Sequence, residues 1–599
     1  MKKSCLALAL AILGANAQAQ SFSRIYFIGD SLSDSGQFGS RFTTNPGQVW
    51  AQDLASRLGN EALPSTQGGS DYAAGGARVV VDDKADPTKP VGPTNPVLPS
   101  MTTQARHMLA MQGGRLDGQA LYSVWGGPND LFAAALDPFH ANEIIAESLI
   151  GQATLINQLS QAGARYILVP NIPDLGMAPA FAGSPWLAAL ASRMSNSYNQ
   201  NLDLLLSRSP ANIIPLNVSN LLHEVMAEPA AYGFSNVKDT ACGSVSSRLC
   251  TPADLVEPNA DQTYLFADGV HPTTAGHRMV ADYAQSVLNA PARMAVLAPA
   301  ANTAGLMQMQ HIDRRLQEAG RQQNSALSVW AQGAAVTGSG HGVNTRLDGT
   351  GGSWLVGVDQ YLDAWTIGAY LSYDNLDGKA EDRHTYAQKR QGGGVYGRWQ
   401  SADLWVNAQL YYASLDNDTR RRIPLGAASR EHRASAGGQQ LGGKVSAGYQ
   451  WRASAFTHGP VAGLSVQKAR IKRLDEDGKG LSTSMSFNAQ DQTSVQSSLG
   501  YQVTVPLNTQ WTVHASAQWL HEFKKPAQEM GARLQDGVHD NRTFYLPTDQ
   551  ERARNSGLLE LNAAAQLNRN WNLGAGVSAQ VGKAPNAQTV VYLNTAYRF

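Results

Sequence analysis

Charged residues are scarce in this chain of 599 residues, and neither sign of charge dominates. Asp, Glu, Lys and Arg make up 16% of the sequence, and 47 basic residues balance 47 acidic ones. Nucleic-acid binding needs clustered positive charge, so this balance argues against a nucleic-acid partner. Low charge together with 57 glycines, 12 tryptophans and 20 tyrosines favours a β-rich or outer-membrane protein over a cytosolic enzyme.

Long hydrophobic runs are also missing. No segment approaches 18 consecutive apolar residues, so any membrane domain is expected to be a β-barrel and not a helical bundle. At the N-terminus, Lys2 and Lys3 precede a short apolar stretch and then Ala17-Gln18-Ala19. This order predicts a secretory signal peptide of residues 1–19, because the apolar stretch is too short for the alternative, a membrane anchor.

Cysteine is equally scarce. Of the three cysteines, Cys5 would leave with the signal peptide, and Cys242 and Cys250 remain. Two neighbouring cysteines in an exported chain are expected to pair, so we predict a disulfide between them. The metal interpretation is weak, because no C-x-x-C or H-E-x-x-H spacing occurs.

The first half of the chain alternates between short apolar runs and helical patterns. Trp50, Leu54 and Leu58 recur at helical spacing, and residues 144–159 form a longer periodic stretch. Strands that alternate with helices predict an α/β domain with a parallel sheet. A Pro- and Asp-rich stretch, residues 82–100, is interpreted as a loop. The four predicted strands are residues 24–28, 121–125, 165–169 and 212–216.

From about Ser325 the apolar period changes to two. Trp511, Val513 and Ala515, for example, alternate with polar residues, and about twelve segments of roughly ten residues follow this pattern. Aromatic residues recur near the segment ends, which favours a transmembrane barrel over the alternative, a soluble β-sandwich. Residues 416–437 and 524–555 are predicted to be external loops.

The alternation continues to the terminal Phe599, which resembles the C-terminal signature that outer-membrane assembly machinery recognises. Residues 293–323, between the two halves, have a helical composition rich in Ala, Gln, Met, Leu and Arg. A helix threading the barrel lumen and an ordinary interdomain helix would both have this composition. The sequence leaves the two open.

A serine and an Asp-x-x-His motif stand at opposite ends of the α/β half. Ser31 directly follows the first predicted strand, where ligands bind in open α/β sheets. Asp268 and His271 lie near the end of the domain. A serine hydroxyl needs a base to take its proton, and an acceptor must hold that base in one tautomer. The three residues therefore predict a nucleophile, a base and an orienting acid.

These residues lie in blocks that resemble the GDSL (SGNH) hydrolase family over most of residues 21–290. Gly29-Asp30-Ser31-Leu32-Ser33 matches the nucleophile motif, with Ser31 as nucleophile and backbone donor. Asp71-Tyr72-Ala73-Ala74-Gly75-Gly76-Ala77-Arg78 and Gly127-Pro128-Asn129-Asp130 match the next blocks, which implies that Gly76 and Asn129 complete the oxyanion hole. Asp71 departs from the commoner Asn, a change we interpret as structural.

Some residues also have simpler interpretations. Asn129 could cap the helix that follows it. Asp34 and Asp130 are interpreted as turn and scaffold residues. No G-x-S-x-G elbow occurs, so the α/β-hydrolase alternative lacks its motif. The histidines that lack a paired motif are interpreted as ordinary polar residues, namely His107, His223 and His277.

The whole chain resembles the autotransporter esterases of Gram-negative bacteria. The resemblance implies a three-layer α/β, flavodoxin-like passenger and a 12-stranded transmembrane β-barrel in the outer membrane, with the passenger on the cell surface. We expect a signal peptide (1–19), a hydrolase passenger (20–290), a linker helix through the barrel (291–323) and the barrel (324–599).

The expected function is hydrolysis of carboxylic esters of the acyl or lipid type, including lysophospholipids, with no metal or organic cofactor. The expected partners are outer-membrane lipids and the barrel assembly machinery, and the chain is expected to be a monomer. An alternative is a surface adhesin or interaction protein that retains the hydrolase fold. A porin with an enzymatic plug is a third hypothesis.

Overall fold

The computed structural model describes most of the chain. The described residues are 22–83, 97–319, 327–341, 346–380, 384–525, 527–548, 554–582 and 587–599. The predicted signal peptide lies outside these ranges, as does most of the predicted loop at 82–100.

The N-terminal domain is built on a four-stranded parallel sheet. The strands are hydrogen-bonded in chain order, and every residue in them is buried. Burial on both faces explains why the strands are short, continuous apolar runs without alternation. The predicted strand positions hold to within one or two residues. The strands are β1 (Ile25–Gly29), β2 (Leu121–Trp125), β3 (Tyr166–Pro170) and β4 (Ile213–Leu216).

Helices cover both faces of this sheet and make three layers. Phe27 of β1 packs into a cluster with Trp50 and Leu221, whereas its neighbour Ile28 packs with Met108 and Leu155 on the other face. The helices are α1 (Trp50–Arg57), α2 (Met101–Met111), α3 (Pro128–Leu136), α4 (Ala141–Gln161), α5 (Pro179–Ala182), α6 (Pro185–Leu206), α7 (Val218–Ala227), α8 (Ala260–Thr263) and α9 (Thr274–Met294). Two short parallel strands, β5 (Asn236–Thr240) and β6 (Tyr264–Phe266), lead into the Asp268 turn.

The C-terminal half is a closed antiparallel barrel. Within the described ranges it has twelve long strands, closed where the last strand pairs with the first. Leu410, Tyr412 and Leu441 face outward, while Gln409 and Gln440 point into the lumen, as expected for a transmembrane barrel. The strands are β7 (Leu327–His341), β8 (Arg346–Leu362), β9 (Trp365–Ala380), β10 (His384–Ser401), β11 (Leu404–Leu425), β12 (Ala428–Tyr449), β14 (Thr457–Ile471), β17 (Gln490–Pro506), β18 (Trp511–Glu522), β21 (Asn555–Gln566), β22 (Trp571–Val581) and β23 (Ala587–Arg598); the two-residue β13 (Trp451–Arg452) adds to β14.

The last helix, α10 (Leu297–Ala319), runs inside this barrel. Its apolar residues Met309 and Ile312 pack against inward-facing Trp330. Its basic residues are paired with acidic residues of the barrel wall, Arg314 with Glu560 at 2.8 Å and Arg315 with Asp359. None of the described helices is long and apolar enough to cross a membrane.

The two segments predicted as external loops differ in structure. Residues 416–437 form the end of the β11–β12 hairpin, and residues 524–555 contain β19 (Glu529–Leu534) and β20 (Phe544–Pro547). With β15 (Leu474–Asp475) and β16 (Met485–Phe487), these strands form a small sheet whose residues share an apolar cluster with the α/β domain. The loop prediction was wrong for residues 416–437, because some of their polar side chains, such as Arg421, are buried in contacts and not exposed to water.

Candidate active site

Ser31 lies in a tight turn at the carboxyl end of β1. The amides of Ser33 and Asp34 both donate to the Asp30 carbonyl at 3.1 Å, and the Leu32 amide donates to the Asp30 side chain at 3.0 Å. This turn ends the strand and holds the Ser31 side chain at the edge of the sheet. It is the position that the sequence predicts for a nucleophile.

Asp268 and His271 form a second tight turn after β6. The amides of Val270 and His271 donate to Asp268 Oδ1 at 3.0 and 2.9 Å, and His271 Nδ1 lies 2.9 Å from both carboxylate oxygens. Burial alone would raise the pKa of Asp268, but hydrogen bonds from the His271 ring and Ser247 outweigh it and hold that pKa well below its usual range. The carboxylate is therefore ionised and fixes the orientation of the ring.

The fold brings the two turns together. His271 Nε2 lies 2.9 Å from Ser31 Oγ, across 240 positions of sequence. Asp268, His271 and Ser31 thus form one continuous line of hydrogen bonds. This is the geometry that a serine nucleophile with an oriented base requires.

Gly76 and Asn129 line the same cavity as Ser31 and His271. Gly76 has a φ of +83°, a left-handed conformation that favours glycine. The Asn129 side chain caps no helix, because it donates from Nδ2 to the Ala77 carbonyl at 3.0 Å, which ties it to the Gly76 loop. The amides of Ser31 and Gly76 donate to no residue that the structure describes.

The cavity behind these polar groups has a volume of about 240 Å³ and is mostly apolar. Its lining includes the polar residues Ser31, Asn129 and His271, and its apolar wall comes from α3, α7, α9 and the segment before α5. The apolar wall includes Phe132, Leu175, Val218, Leu221, Leu222 and Met279. Such a shape accepts an apolar chain attached to a polar reacting group.

The disulfide predicted between Cys242 and Cys250 is present and closes a loop beside the site. Ser247 lies within this loop, and its amide donates to Asp268 Oδ2 at 2.9 Å. Asn45 holds the same loop by donating from Nδ2 to the Ser247 carbonyl at 2.9 Å. The cross-link therefore supports the hydrogen bonding of Asp268.

Two buried carboxylates shape the loop that carries Gly76. Asp34 Oδ2 accepts the Gly75 amide at 2.8 Å, so the residue interpreted as a turn former also positions the neighbouring Gly76. Asp71 accepts the Ala73 amide on one oxygen and the Ser35 amide on the other, at 2.9 and 2.8 Å. Burial and the nearby Asp34 charge raise the pKa of Asp71. Both Asp71 oxygens accept a hydrogen bond, whereas the side chain of an asparagine would offer only one acceptor oxygen.

Sequence reasoning missed Gln104 and the role of His223. Gln104 lies on α2 and clamps both backbone groups of Gly29 at 2.9 Å, which fixes the end of β1. His223 pairs at 3.1 Å with Asp174, which lines the cavity. A glutamine or histidine on a helix carries no sequence signal for such contacts, since both resemble surface residues. Across the described ranges, no cluster of three His, Cys, Asp or Glu side chains could hold a metal ion.

Comparison with known proteins gives two family matches that together cover most of the chain. The family described as GDSL-like Lipase/Acylhydrolase matches residues 25–284, and the family described as Autotransporter beta-domain matches residues 329–578. Among solved structures, the translocator domain of autotransporter NalP from Neisseria meningitidis aligns with a TM-score of 0.42 at 16% identity, over 51% of this chain and 99% of that one.

Several relatives match this chain over most of its length and most of their own. Lipase 1 of Photorhabdus luminescens is 27% identical over 97% of this chain and 96% of its own length, and Esterase EstA of Pseudomonas aeruginosa is 26% identical over 88% and 89%. An uncharacterized protein in the trpE-trpG intergenic region of Pseudomonas putida is 30% identical over 88% of this chain and 93% of its own length. The chain therefore belongs to the GDSL autotransporter family, with a GDSL esterase/lipase domain exposed at the cell surface on a β-barrel of the outer membrane.

Proposed function

We propose that the chain hydrolyses carboxylic esters by a Ser-His-Asp mechanism. The observation that carries the proposal is the line of hydrogen bonds from Asp268 through His271 to Ser31, each 2.9 Å long. An ionised Asp268 holds Nδ1 of the ring as a donor, which leaves Nε2 free to accept the serine proton. A protein that only binds a partner has no need of this arrangement.

The reaction proceeds in two transfers. Ser31 Oγ attacks the ester carbonyl while His271 takes its proton, and the same imidazolium then protonates the departing alcohol. Water, deprotonated by His271, next attacks the acyl-serine, and Ser31 recovers its proton as the acid leaves. In both steps the negative oxygen accepts hydrogen bonds from the amides of Ser31 and Gly76 and from Asn129 Nδ2.

The apolar cavity supports an acyl ester as the substrate. Ser31 and His271 lie in its lining, and its apolar wall offers space for a fatty acyl chain. The names Lipase 1 and Esterase EstA of two relatives agree with this substrate class. We include lipid esters and lysophospholipids among the proposed substrates, because a single acyl chain fits a cavity of about 240 Å³.

We further propose the domain division 1–19, 20–290, 291–323 and 324–599, as a signal peptide, passenger, linker helix and barrel. The barrel would be inserted by the outer-membrane assembly machinery, which reads the alternating C-terminal strand. The chain would act as a monomer in contact with outer-membrane lipids.

The test is hydrolysis of p-nitrophenyl esters by intact cells that display the full chain. Ser31→Ala should lower turnover by a factor on the order of 10⁴ or more, because the nucleophile is lost. Ser207→Ala, at an exposed serine after α6, is the matched control and should leave turnover unchanged. Equal hydrolysis by the Ser31 variant and the parent would contradict the mechanism, and a parent without esterase activity would favour the adhesin alternative.

A further inference from the structure

Helix α7 (Val218–Ala227) separates the acyl cavity from the barrel domain. Its apolar residues Val218, Leu221 and Leu222 line the cavity. An amphipathic helix at the edge of a domain is expected to turn its polar face to water. Here the polar residues Asn217, Asn220 and Glu224 face the barrel domain instead. Their partners lie in the segments that join β15 to β16 and β19 to β20, which we call the extracellular part of the barrel domain.

The contacts of this polar face are specific hydrogen bonds. Asn220 Nδ2 donates to the Gly480 carbonyl at 2.8 Å, and Glu224 accepts the amide and hydroxyl of Ser482 at 2.6 and 3.0 Å. The Ser482 carbonyl accepts the hydroxyl of Tyr283 at 2.9 Å, and that hydroxyl accepts the Asn217 amide at 3.0 Å. The wall of the cavity is thus held from outside by residues of the barrel domain.

A second Asp-Gly-Val-His sequence lies where the barrel domain meets the start of α7. Residues 536–539 are identical in sequence to residues 268–271. They form the same backbone hydrogen bonds, because Asp536 Oδ1 accepts the amides of Val538 and His539 at 3.0 and 2.8 Å. The His539 ring donates from Nδ1 to Asp536 Oδ2 at 2.7 Å. Its Nε2 lies 3.9 Å from Asp203, and no serine of the described ranges donates a hydrogen bond to it, so this second turn lacks the serine partner of the first.

The second Asp-Gly-Val-His turn contacts the start of α7 through Asp536. Asn217, the N-cap of α7, donates from Nδ2 to Asp536 Oδ2 at 2.8 Å. Its Oδ1 is already used, because it accepts the Asn220 amide at 3.0 Å and Asn171 Nδ2 at 2.9 Å. The backbone carbonyl of Asn171 accepts the indole N–H of Trp125, which lines the cavity. Burial would raise the pKa of Asp536, but the His539 hydrogen bond outweighs it and lowers that pKa to about 2, so the acceptor is ionised.

We propose that the extracellular part of the barrel domain positions α7 as the wall of the acyl cavity, through the hydrogen bond from Asn217 to Asp536. The inference rests on the proposed ester hydrolysis. It assigns the barrel domain a part in substrate selection in addition to anchoring. Asp536 is a positioning residue, since it touches neither the substrate nor the reacting atoms.

The test compares esters of increasing chain length with the full chain in outer-membrane vesicles. In Asp536→Asn, an amide N–H donor faces the donor Asn217 Nδ2. The Asn217 side chain cannot flip its amide group to compensate, because its Oδ1 would then lose the N-cap hydrogen bond from Asn220. We expect KM for p-nitrophenyl octanoate to rise about tenfold, the effect of losing one charge-assisted hydrogen bond, with kcat little changed. The acetate ester should be unaffected within about twofold, because its acyl group does not reach α7.

The reciprocal double variant Asn217→Asp/Asp536→Asn is the rescue. It restores a donor opposite an acceptor, and aspartate is as good an N-cap as asparagine, so octanoate KM should return toward the parent value. Glu529→Gln is the matched control, because Glu529 joins the domains at Arg165 and Tyr166, away from α7. It should leave the chain-length profile unchanged.

Several results would overturn the proposal. An unchanged octanoate KM would do so, as would equal losses on acetate and octanoate, or a double variant as impaired as the single one. If Asp536→Asn does not reach the membrane, Asn220→Ala tests the same wall and should give a smaller shift with the same chain-length dependence. Acetate hydrolysis that depends on Ser31 keeps this test separate from that of the catalytic mechanism.

Discussion

Replacing Asn129 by alanine removes the side-chain donor of the proposed oxyanion hole and disturbs little else. Asn129 is the second residue of α3, and Gly127 at the N-cap already sets the start of that helix. The lost contact within the protein is the hydrogen bond from Nδ2 to the Ala77 carbonyl. A hydrogen bond of this kind contributes about 1 kcal/mol, so we expect the variant to fold and to retain the barrel.

The catalytic loss should be much larger than the loss of stability. The donor acts on the negative charge that develops only in the transition state, and removal of one such donor lowers kcat by roughly 100- to 1000-fold, or about 2.7 to 4 kcal/mol. Substrate binding uses the apolar wall and not Asn129, so KM should change by less than about threefold. The two amides of Ser31 and Gly76 account for the remaining activity.

The assay is steady-state hydrolysis of p-nitrophenyl butyrate by the purified full chain, with thermal unfolding measured on the same sample. Asn129→Asp is the stringent companion, since it keeps the shape of the side chain but places a negative charge where the oxyanion forms. It should be at least as inactive as Asn129→Ala. A variant with parental kcat, or one that loses activity only through KM, would remove Asn129 from the oxyanion hole.

Two further predictions concern stability around the site. Burial raises the pKa of Asp30 from 3.8 to about 7, so the folded chain keeps a proton that the unfolded chain has lost. Asp30 should therefore lower the stability of the folded chain by up to about 4 kcal/mol as pH rises from 4 to 7. Chemical unfolding across that range should show a smaller fall for Asp30→Asn than for the parent, because the Asp30 contribution is lost and that of Asp71 remains; parallel profiles would contradict the assignment. The double variant Cys242→Ser/Cys250→Ser should lose about 2.5 kcal/mol, the loop-closure value for so short a loop, and calorimetry that shows no decrease would refute a stabilising cross-link.

The sequence was most informative where the signal is local. Apolar runs placed the four parallel strands, and the period of two gave a barrel of twelve strands, because these patterns depend only on which face of an element is buried. The site blocks were equally readable. Asp268 and His271 are three residues apart, and the turn that joins them is made by their own backbone and side chains.

Local sequence patterns did not predict the structure of the segments that extend from the barrel toward the α/β domain. Residues 416–437 are polar and look like a solvated loop, yet they extend a hairpin whose Arg421 is buried against Glu476, with bonds of 2.7 and 2.6 Å. The sequence shows that a side chain is polar, but not whether its hydrogen-bonding groups are paired with another segment of the chain or with water. The contacts of Gln104 with Gly29 were hidden for the same reason.

The sequence by itself thus determined the two architectures of this protein and the motifs of its proposed site, since the proposed nucleophile, the proposed base and the alternating strands each lie within short stretches of sequence. The tertiary structure decided which distant polar groups meet. It places Ser31 Oγ 2.9 Å from His271 Nε2. In the second Asp-Gly-Val-His turn, the group opposite the histidine ring is Asp203. The two identical four-residue sequences form the same turn through local hydrogen bonds, but only the surrounding fold determines which atom each imidazole faces.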